Sequence, residues 1–97
     1  MTKTLAKTIP PLRSTENDED PVIIAHYFNP MGRGDWWVIE GEEQEDGNWL
    51  FFGLADIIMR EYGYFNLKKL EDIRLPFNMR IERDLYWTPI KVSELDN

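Results

Sequence analysis

The sequence predicts an α+β fold, with an antiparallel sheet of four or five strands and short helices packed on it. Runs rich in β-branched and aromatic residues, which are typical of strands, follow one another from residue 22 onward. Segments that contain Gly, Pro, Asn and clustered acids separate these runs and indicate turns. Apolar residues with helical spacing occur in short stretches, near residues 5 and 70 and again at Val92 and Leu95, so the predicted helices are short.

The chain is expected to form one domain over residues 1–97, because its 97 residues lie near the low end of domain sizes. Residues 1–21 supply a helical turn and an acidic loop, and residues 22–97 supply the sheet and the short helices. No apolar run approaches the ~18 residues of a membrane span, and no secretory signal is visible. Cysteine is absent, which excludes disulfides and thiolate zinc sites. We therefore expect a cytoplasmic protein.

A short helix is predicted near the N terminus, where apolar residues recur at intervals of four and three. Its apolar face consists of Leu5, Ile9 and Leu12. Thr2 or Thr4 can cap its first turn, and Pro10 should end it. Residues 14–21 are polar and acidic, and they predict a surface loop.

Three strands of an antiparallel meander are predicted at 22–29, 36–40 and 49–54. The first is apolar on both sides, which favours a central position in the sheet. Two glycines and an Asn-Pro pair in 29–35 indicate a turn, and 41–47 is predicted to be an acidic connection.

The second half is more mixed. Residues 54–59 either extend the third strand or form a helical turn. A short aromatic strand at 62–65 is followed by a helix at 67–73, for which Asn66 is a suitable N-cap. Alternation over 79–87 favours a further strand.

The charge of the chain is concentrated in one segment. The net charge is −7, and residues 14–58 contain eleven carboxylates against one cation, Arg33. A field of this kind repels nucleic-acid backbone and attracts basic surfaces, so direct nucleic-acid binding is not expected. The carboxylates are Glu16, Asp18, Glu19, Asp20, Asp35, Glu40, Glu42, Glu43, Glu45, Asp46 and Asp56.

No residue pattern of a catalytic site accompanies the acids, so we expect no enzyme activity and no cofactor. The acids of 40–46 and 18–20 could supply oxygen ligands to a hard cation, but they lack the alternate spacing of an EF-hand, and a solvated loop is the simpler interpretation. His26 is the only histidine, and its position beside Phe28 on a strand face favours a half-buried structural role over that of a catalytic base.

Trp36 and Trp37 are adjacent in a predicted strand, so their side chains must point to opposite faces. One ring could be only partly covered and act as an apolar anchor within an acidic surface, which is a common arrangement in binding hot spots. Simple packing of both rings in the core is the alternative.

Several local motifs resemble a family of short acidic proteins of unknown function. They are FFGL at 51–54, GYF at 63–65 followed by a leucine-bearing helix, and IERDLYW at 81–87 before a proline. The family is found mostly on bacterial plasmids, integrated elements and phages. The resemblance implies an accessory protein of a mobile element that acts on host defence or on element transfer, and it implies no catalytic residue.

The leading functional hypothesis is a non-enzymatic interaction protein whose acidic face occupies a basic, nucleic-acid-binding surface of another protein. An anti-CRISPR or anti-restriction inhibitor that mimics DNA is its specific form. The alternative is a small carboxylate-based, metal-dependent hydrolase or nuclease. The candidate binding residues are Asp18, Glu19, Asp20, Trp36, Trp37, Glu40, Glu42, Glu43, Glu45 and Asp46.

Overall fold

The computed structural model describes residues 1–96 and confirms the α+β class. Two α-helices, seven strands and two 3₁₀ turns occur in this range. The helices are α1 (Lys3–Thr8) and α2 (Leu67–Asp72), and the 3₁₀ turns are Pro76–Asn78 and Val92–Glu94. The strands are β1 (Val22–Ile23), β2 (Ala25–Phe28), β3 (Asp35–Glu43), β4 (Trp49–Asp56), β5 (Arg60–Asn66), β6 (Glu82–Arg83) and β7 (Ile90–Lys91). No helix within residues 1–96 has the length and apolar character needed to cross a membrane.

The main sheet has five strands in the order β5-β4-β3-β2-β6, and all its pairs are antiparallel. The predicted meander is confirmed, because β2, β3, β4 and β5 are neighbours in both sequence and space. β1 and β7 form a separate two-stranded sheet. The predicted first strand is therefore divided between two sheets at Ile24, whose N–H donates to Val38 O at 2.8 Å.

Local capping chemistry is confirmed at both helices. Thr2 Oγ1 accepts a hydrogen bond from Leu5 N at 3.2 Å, so Thr2 rather than Thr4 is the first N-cap. Asn66 Oδ1 accepts from Lys69 N at 2.9 Å and begins α2 as predicted.

Two element boundaries were predicted wrongly. The segment 41–47 was expected to be a connection, but β3 continues through Glu43, because its last residues pair with Leu50 and Trp49 in β4. Within the predicted strand 79–87, only β6 is paired. The chain turns directly afterwards at Asp84, whose carboxylate accepts from Tyr86 N at 3.0 Å.

The sheet is covered on both faces. On the first face, α1 and α2 contribute to a core with Trp36, Val38 and Phe51 at its centre. On the second face, Trp37, Ile39 and Leu54 pack with side chains of the C-terminal segment, among them Trp87. The cover of the second face is incomplete, because Tyr62 and Tyr64 on that face remain exposed.

An irregularity in β3 brings β3 and β4 unusually close together. The register shifts between Val38 and Glu40, so Ile39 is the extra residue of a bulge. Gly53 lies opposite, and a Cβ atom at this position would be 1.9 Å from Trp37 O. The FFGL motif therefore requires a glycine at this position, because the backbones of β3 and β4 approach each other too closely for a side chain.

Candidate functional site: an acidic and aromatic groove

The acidic loop that follows α1 is attached to the sheet by one carboxylate. Glu40 Oε1 accepts a hydrogen bond from Arg13 N at 2.7 Å, and Oε2 accepts from Thr15 N at 2.9 Å and from the Thr15 hydroxyl. Only 3% of Glu40 is exposed. Burial alone would raise the pKa of Glu40, but these hydrogen bonds outweigh it and lower the pKa below its usual value.

Glu40 is the last residue of the strand predicted at 36–40, and it was also counted among the accessible acids of 40–46. Its position in a strand is confirmed, whereas its expected accessibility is wrong. It lies within β3 and is the one buried charged residue in the described chain. A carboxylate whose oxygens are both occupied by Arg13 and Thr15 is a structural group, because it has little capacity left for a partner.

A groove of about 440 Å³ lies between this loop and the second face of the sheet. It is lined by the 13–21 segment, by Glu40 and by the rings of Phe52, Tyr62 and Tyr64. We call this feature the acidic groove and the three rings the aromatic trio. Tyr62 stacks on Phe52 with centroids 6.0 Å apart, and Tyr64 meets Phe52 edge-on at 5.2 Å.

The aromatic trio is accessible because β5 is at the edge of the sheet. Cross-strand pairing places Phe52 beside Tyr64 and Leu54 beside Tyr62, so both tyrosines project to the second face. Tyr62 is 55% exposed and Tyr64 is 60% exposed. Rings held in place by stacking but open to solvent can bind apolar groups or cations without further ordering.

Three exposed carboxylates, Glu16, Asp18 and Glu19, line the same groove. We call them the rim carboxylates. In the part of the chain from 1 to 96, none of the three forms a salt bridge. Arg13 is the single cation among the lining residues, against four carboxylates, those of Glu40 and of the three rim residues. The groove can therefore attract positive charge.

The remaining acids predicted to bind a partner occupy two places. Glu42, Glu43, Glu45 and Asp46 are exposed at the β3–β4 hairpin, where they line a shallow depression with Leu50 and Asn66. Asp20 differs from them, because it accepts hydrogen bonds from Ser93 N at 2.9 Å and from the Ser93 hydroxyl at 2.6 Å. These bonds lower the pKa of Asp20 and tie the acidic loop to the C-terminal segment.

Trp36 and Trp37 point to opposite faces as predicted, but neither is an exposed anchor. Trp36 is 7% exposed in the core of the first face, and Trp37 is 6% exposed on the second. Because α1, α2 and the C-terminal segment together cover the sheet around them, the packing alternative is the one observed. The exposed aromatic residues of the groove are tyrosines of the edge strand instead.

His26 is held between two carboxylates, which the sequence did not predict. Its Nε2 lies 2.8 Å from Asp35 Oδ1, and its Nδ1 lies 3.4 Å from Asp84 Oδ2. The ring stacks on Trp37 with centroids 5.4 Å apart, and its side chain is 15% exposed. No group of three or more His, Cys, Asp and Glu among residues 1–96 has an arrangement that could hold a metal ion. The partial burial predicted for His26 is confirmed.

Fold and groove together define a small α+β domain with an acidic and aromatic groove beside an edge strand of its sheet. The chain belongs to the family described as protein of unknown function DUF2958, whose model matches residues 2–94. No curated protein and no solved structure matches the chain.

Proposed function

We propose that the protein is a non-enzymatic interaction module that binds a basic segment of a partner protein in the acidic groove. The observation that carries this proposal is the position of Tyr62 and Tyr64, two exposed rings beside three rim carboxylates that lack a salt bridge within the described residues. Tyrosine contributes large contact area at low entropic cost and is enriched in binding hot spots.

Each component of the groove has a distinct role in this function. A guanidinium or ammonium group over the aromatic trio gains a cation–π interaction of about 0.5–2 kcal/mol. The rim carboxylates and the hairpin acids create a negative field that accelerates the encounter with a basic partner. Because these acids are exposed, the attraction should weaken as salt screens it over about 8 Å at physiological ionic strength.

A nucleic-acid-binding protein is the partner class that the charge favours. Duplex DNA carries one negative charge per ~1.7 Å of axis, so its protein ligands present closely spaced cations that a carboxylate-rich surface can occupy. The resemblance to proteins of plasmids and phages supports a role against host defence, as an anti-CRISPR or anti-restriction inhibitor that mimics DNA.

A metal-dependent hydrolase or nuclease has less support. Such an enzyme requires a carboxylate with a perturbed environment and free oxygens that face a cleft. Glu40 is the buried carboxylate of the groove, and its oxygens accept three hydrogen bonds from Arg13 and Thr15.

A fluorescence titration with a defined basic peptide tests the proposal. The probe is an eight-residue peptide of four Thr-Arg repeats, titrated at about 50 and 200 mM salt. We expect the double variant Glu16→Lys/Glu19→Lys to bind at least about tenfold more weakly than wild type. The matched control is Glu71→Lys/Asp72→Lys, which changes the net charge equally at exposed positions of α2.

A further double variant separates the contribution of the rings to binding from that of the charges. Tyr62→Ser/Tyr64→Ser leaves every carboxylate in place, and it should weaken binding mainly through faster dissociation. Equal affinities of the groove and control charge variants would overturn the proposal, since the field of the whole protein would then explain binding. Affinity capture from cell extract with wild type and the same variants identifies which partner depends on the groove.

A further inference from the structure

The two edges of the five-stranded sheet are very different. At one edge, β6 consists of two residues, so it offers almost no backbone for pairing. At the other edge, β5 has seven residues and pairs with β4 over its whole length, from Leu50 opposite Asn66 to Asp56 opposite Arg60. Among residues 1–96 no strand pairs with the outer side of β5.

β5 has few of the features by which natural sheets protect their edges, because its charged residues, Arg60 and Glu61, stand together at its first two positions. It contains no proline and no lysine, and its register with β4 has no bulge. Its outer side is therefore a regular row of backbone N–H and C=O groups that are available to another extended chain.

This free edge coincides with the acidic groove. Tyr62 and Tyr64 are residues of β5, and they project to the face on which the rim carboxylates lie. A strand added to β5 would place alternate side chains about 4.5–5.5 Å from these tyrosines on the same face. Gly63, between the tyrosines, projects to the opposite face, and no atom lies within 4 Å of a Cβ built there. No side chain at Gly63 therefore obstructs the approach of another backbone.

We propose that the groove binds its basic partner by β-strand addition. An extended segment of the partner pairs with the backbone of β5, and its alternate Arg or Lys side chains lie over Tyr62 and Tyr64 and reach the rim carboxylates. The inference rests on the proposed function and adds to it the conformation and sequence pattern of the partner: an extended segment with basic residues at every second position. In such complexes backbone pairing supplies affinity, and the alternate side chains supply specificity.

Charge complementarity favours this occupant over a second copy of the chain. Pairing of two β5 strands would bring two sets of rim carboxylates toward one interface, and each chain has a net charge of −7. Arg60 cannot readily neutralise them, because it is engaged by Asp56 at 3.5 Å and by Asp96 at 2.8 Å. A basic segment meets no such repulsion.

Backbone methylation of the peptide probe tests strand addition directly. The N–H groups of successive residues in a strand point to opposite edges, so only one alternate set can pair with β5. Two further peptides of four Thr-Arg repeats are methylated on the backbone. The first carries a methyl group on the backbone nitrogen of every Arg, and the second carries one on the backbone nitrogen of every Thr. They have equal charge, equal length and equal numbers of methyl groups, and each is the control for the other.

We expect one methylated peptide to bind about tenfold or more weakly than the unmodified peptide, and the other to bind within about threefold of it. Hydrogen exchange of the full chain, followed by NMR, should show slower exchange at alternate amides of β5 when the unmodified peptide is bound.

Each other outcome has a distinct meaning. If the unmodified peptide fails to bind wild type at low salt, both the proposed function and strand addition are overturned. If it binds, but the two methylated peptides bind with equal affinity or both fail, strand addition is wrong while recognition by the groove remains. Dimers in sedimentation velocity, with β5 amides already protected in the free protein, would assign the edge to a second copy instead.

Discussion

Replacement of Glu40 by Gln should destabilise the domain and release the acidic loop from the groove. The substitution keeps the size and shape of the side chain but removes its charge and one of its two acceptor oxygens. In the native protein both oxygens are used, one by Arg13 N and the other by Thr15 N and the Thr15 hydroxyl. The amide nitrogen of Gln must therefore face at least one N–H group that has lost its acceptor.

The expected cost follows from these contacts. A buried N–H group left without an acceptor costs about 1–3 kcal/mol, and hydrogen bonds to a charged group are stronger than those to a neutral one. Relaxation of the surface loop recovers part of this, so we expect the free energy of unfolding to fall by about 2 kcal/mol. For a domain of this size, that corresponds to a decrease in Tm of roughly 8–16 °C.

The pH dependence provides an independent signature. Because the pKa of Glu40 is lowered in the folded state from 4.5, the unfolded state binds more protons as pH falls through this range. The stabilisation by ionised Glu40 is complete above pH about 5 and is lost as pH falls through the folded-state pKa. The stability difference between wild type and Glu40→Gln should therefore shrink on acidification below about pH 4.5.

Chemical denaturation monitored by tryptophan fluorescence from pH 3 to 7 measures both effects. Glu42→Gln is the matched control, because Glu42 lies two residues further along β3 and is exposed. We expect the control to change stability by less than about 0.5 kcal/mol. The reasoning is refuted if the two variants have equal stability at pH 7, or if the cost of Glu40→Gln is independent of pH.

Three further substitutions test the packing of the sheet. Gly53→Ala should lower the free energy of unfolding by about 3 kcal/mol, because the new Cβ would lie 1.9 Å from Trp37 O. Gly63→Ala, at the cross-strand partner, should leave the free energy of unfolding unchanged or raise it by up to about 1 kcal/mol. Similar denaturation midpoints for the two variants would contradict the close approach of β3 and β4 at Gly53. His26→Gln should destabilise the domain by about 1–2 kcal/mol, because it removes the ring stacked on Trp37 and the contacts with two carboxylates. Unchanged thermal stability of His26→Gln would show that these contacts contribute little.

The predictable parts of the fold are those set by local chemistry. The cap at Asn66, the turn after Phe28 and the meander of three hydrophobic runs depend on residues close together in sequence, and all are present. The extension of β3 to Glu43 was missed, because acidic residues have low strand propensity and only pairing with β4 holds them in a strand. The alternation over 79–87 overstated a strand, since β2 offers β6 only Tyr27 and Phe28 as partners.

The negative charge of the groove could be predicted from the sequence, but the residues that are exposed in it could not. The sequence predicts Glu40 at the end of a strand and Glu42 in the connection that follows, but it does not indicate that Glu40 is buried while Glu42 is exposed. Glu40 is buried and Glu42 is exposed because a long-range contact brings the backbone of residues 13–15 to Glu40 alone. Trp36 and Trp37 were candidate anchors because adjacent residues of a strand project to opposite faces, but both faces are covered at that position. Tyr62 and Tyr64 are exposed instead, because β5 is an edge strand.

The acidity of this chain therefore has two separable components, and experiments on its function must treat them separately. Glu40 and Asp20 accept hydrogen bonds that attach the acidic loop to β3 and to Ser93, so neutralising them changes the shape of the groove. Glu16 and Glu19 bear charge at its rim, where substitution leaves those attachments intact. A variant in which all the carboxylates between residues 16 and 46 are neutralised would lose both the attachments of the loop and the charge of the rim, so it cannot test the proposed interaction. Loss of binding points to recognition only when the variant keeps the stability of wild type, which the rim substitutions are designed to do.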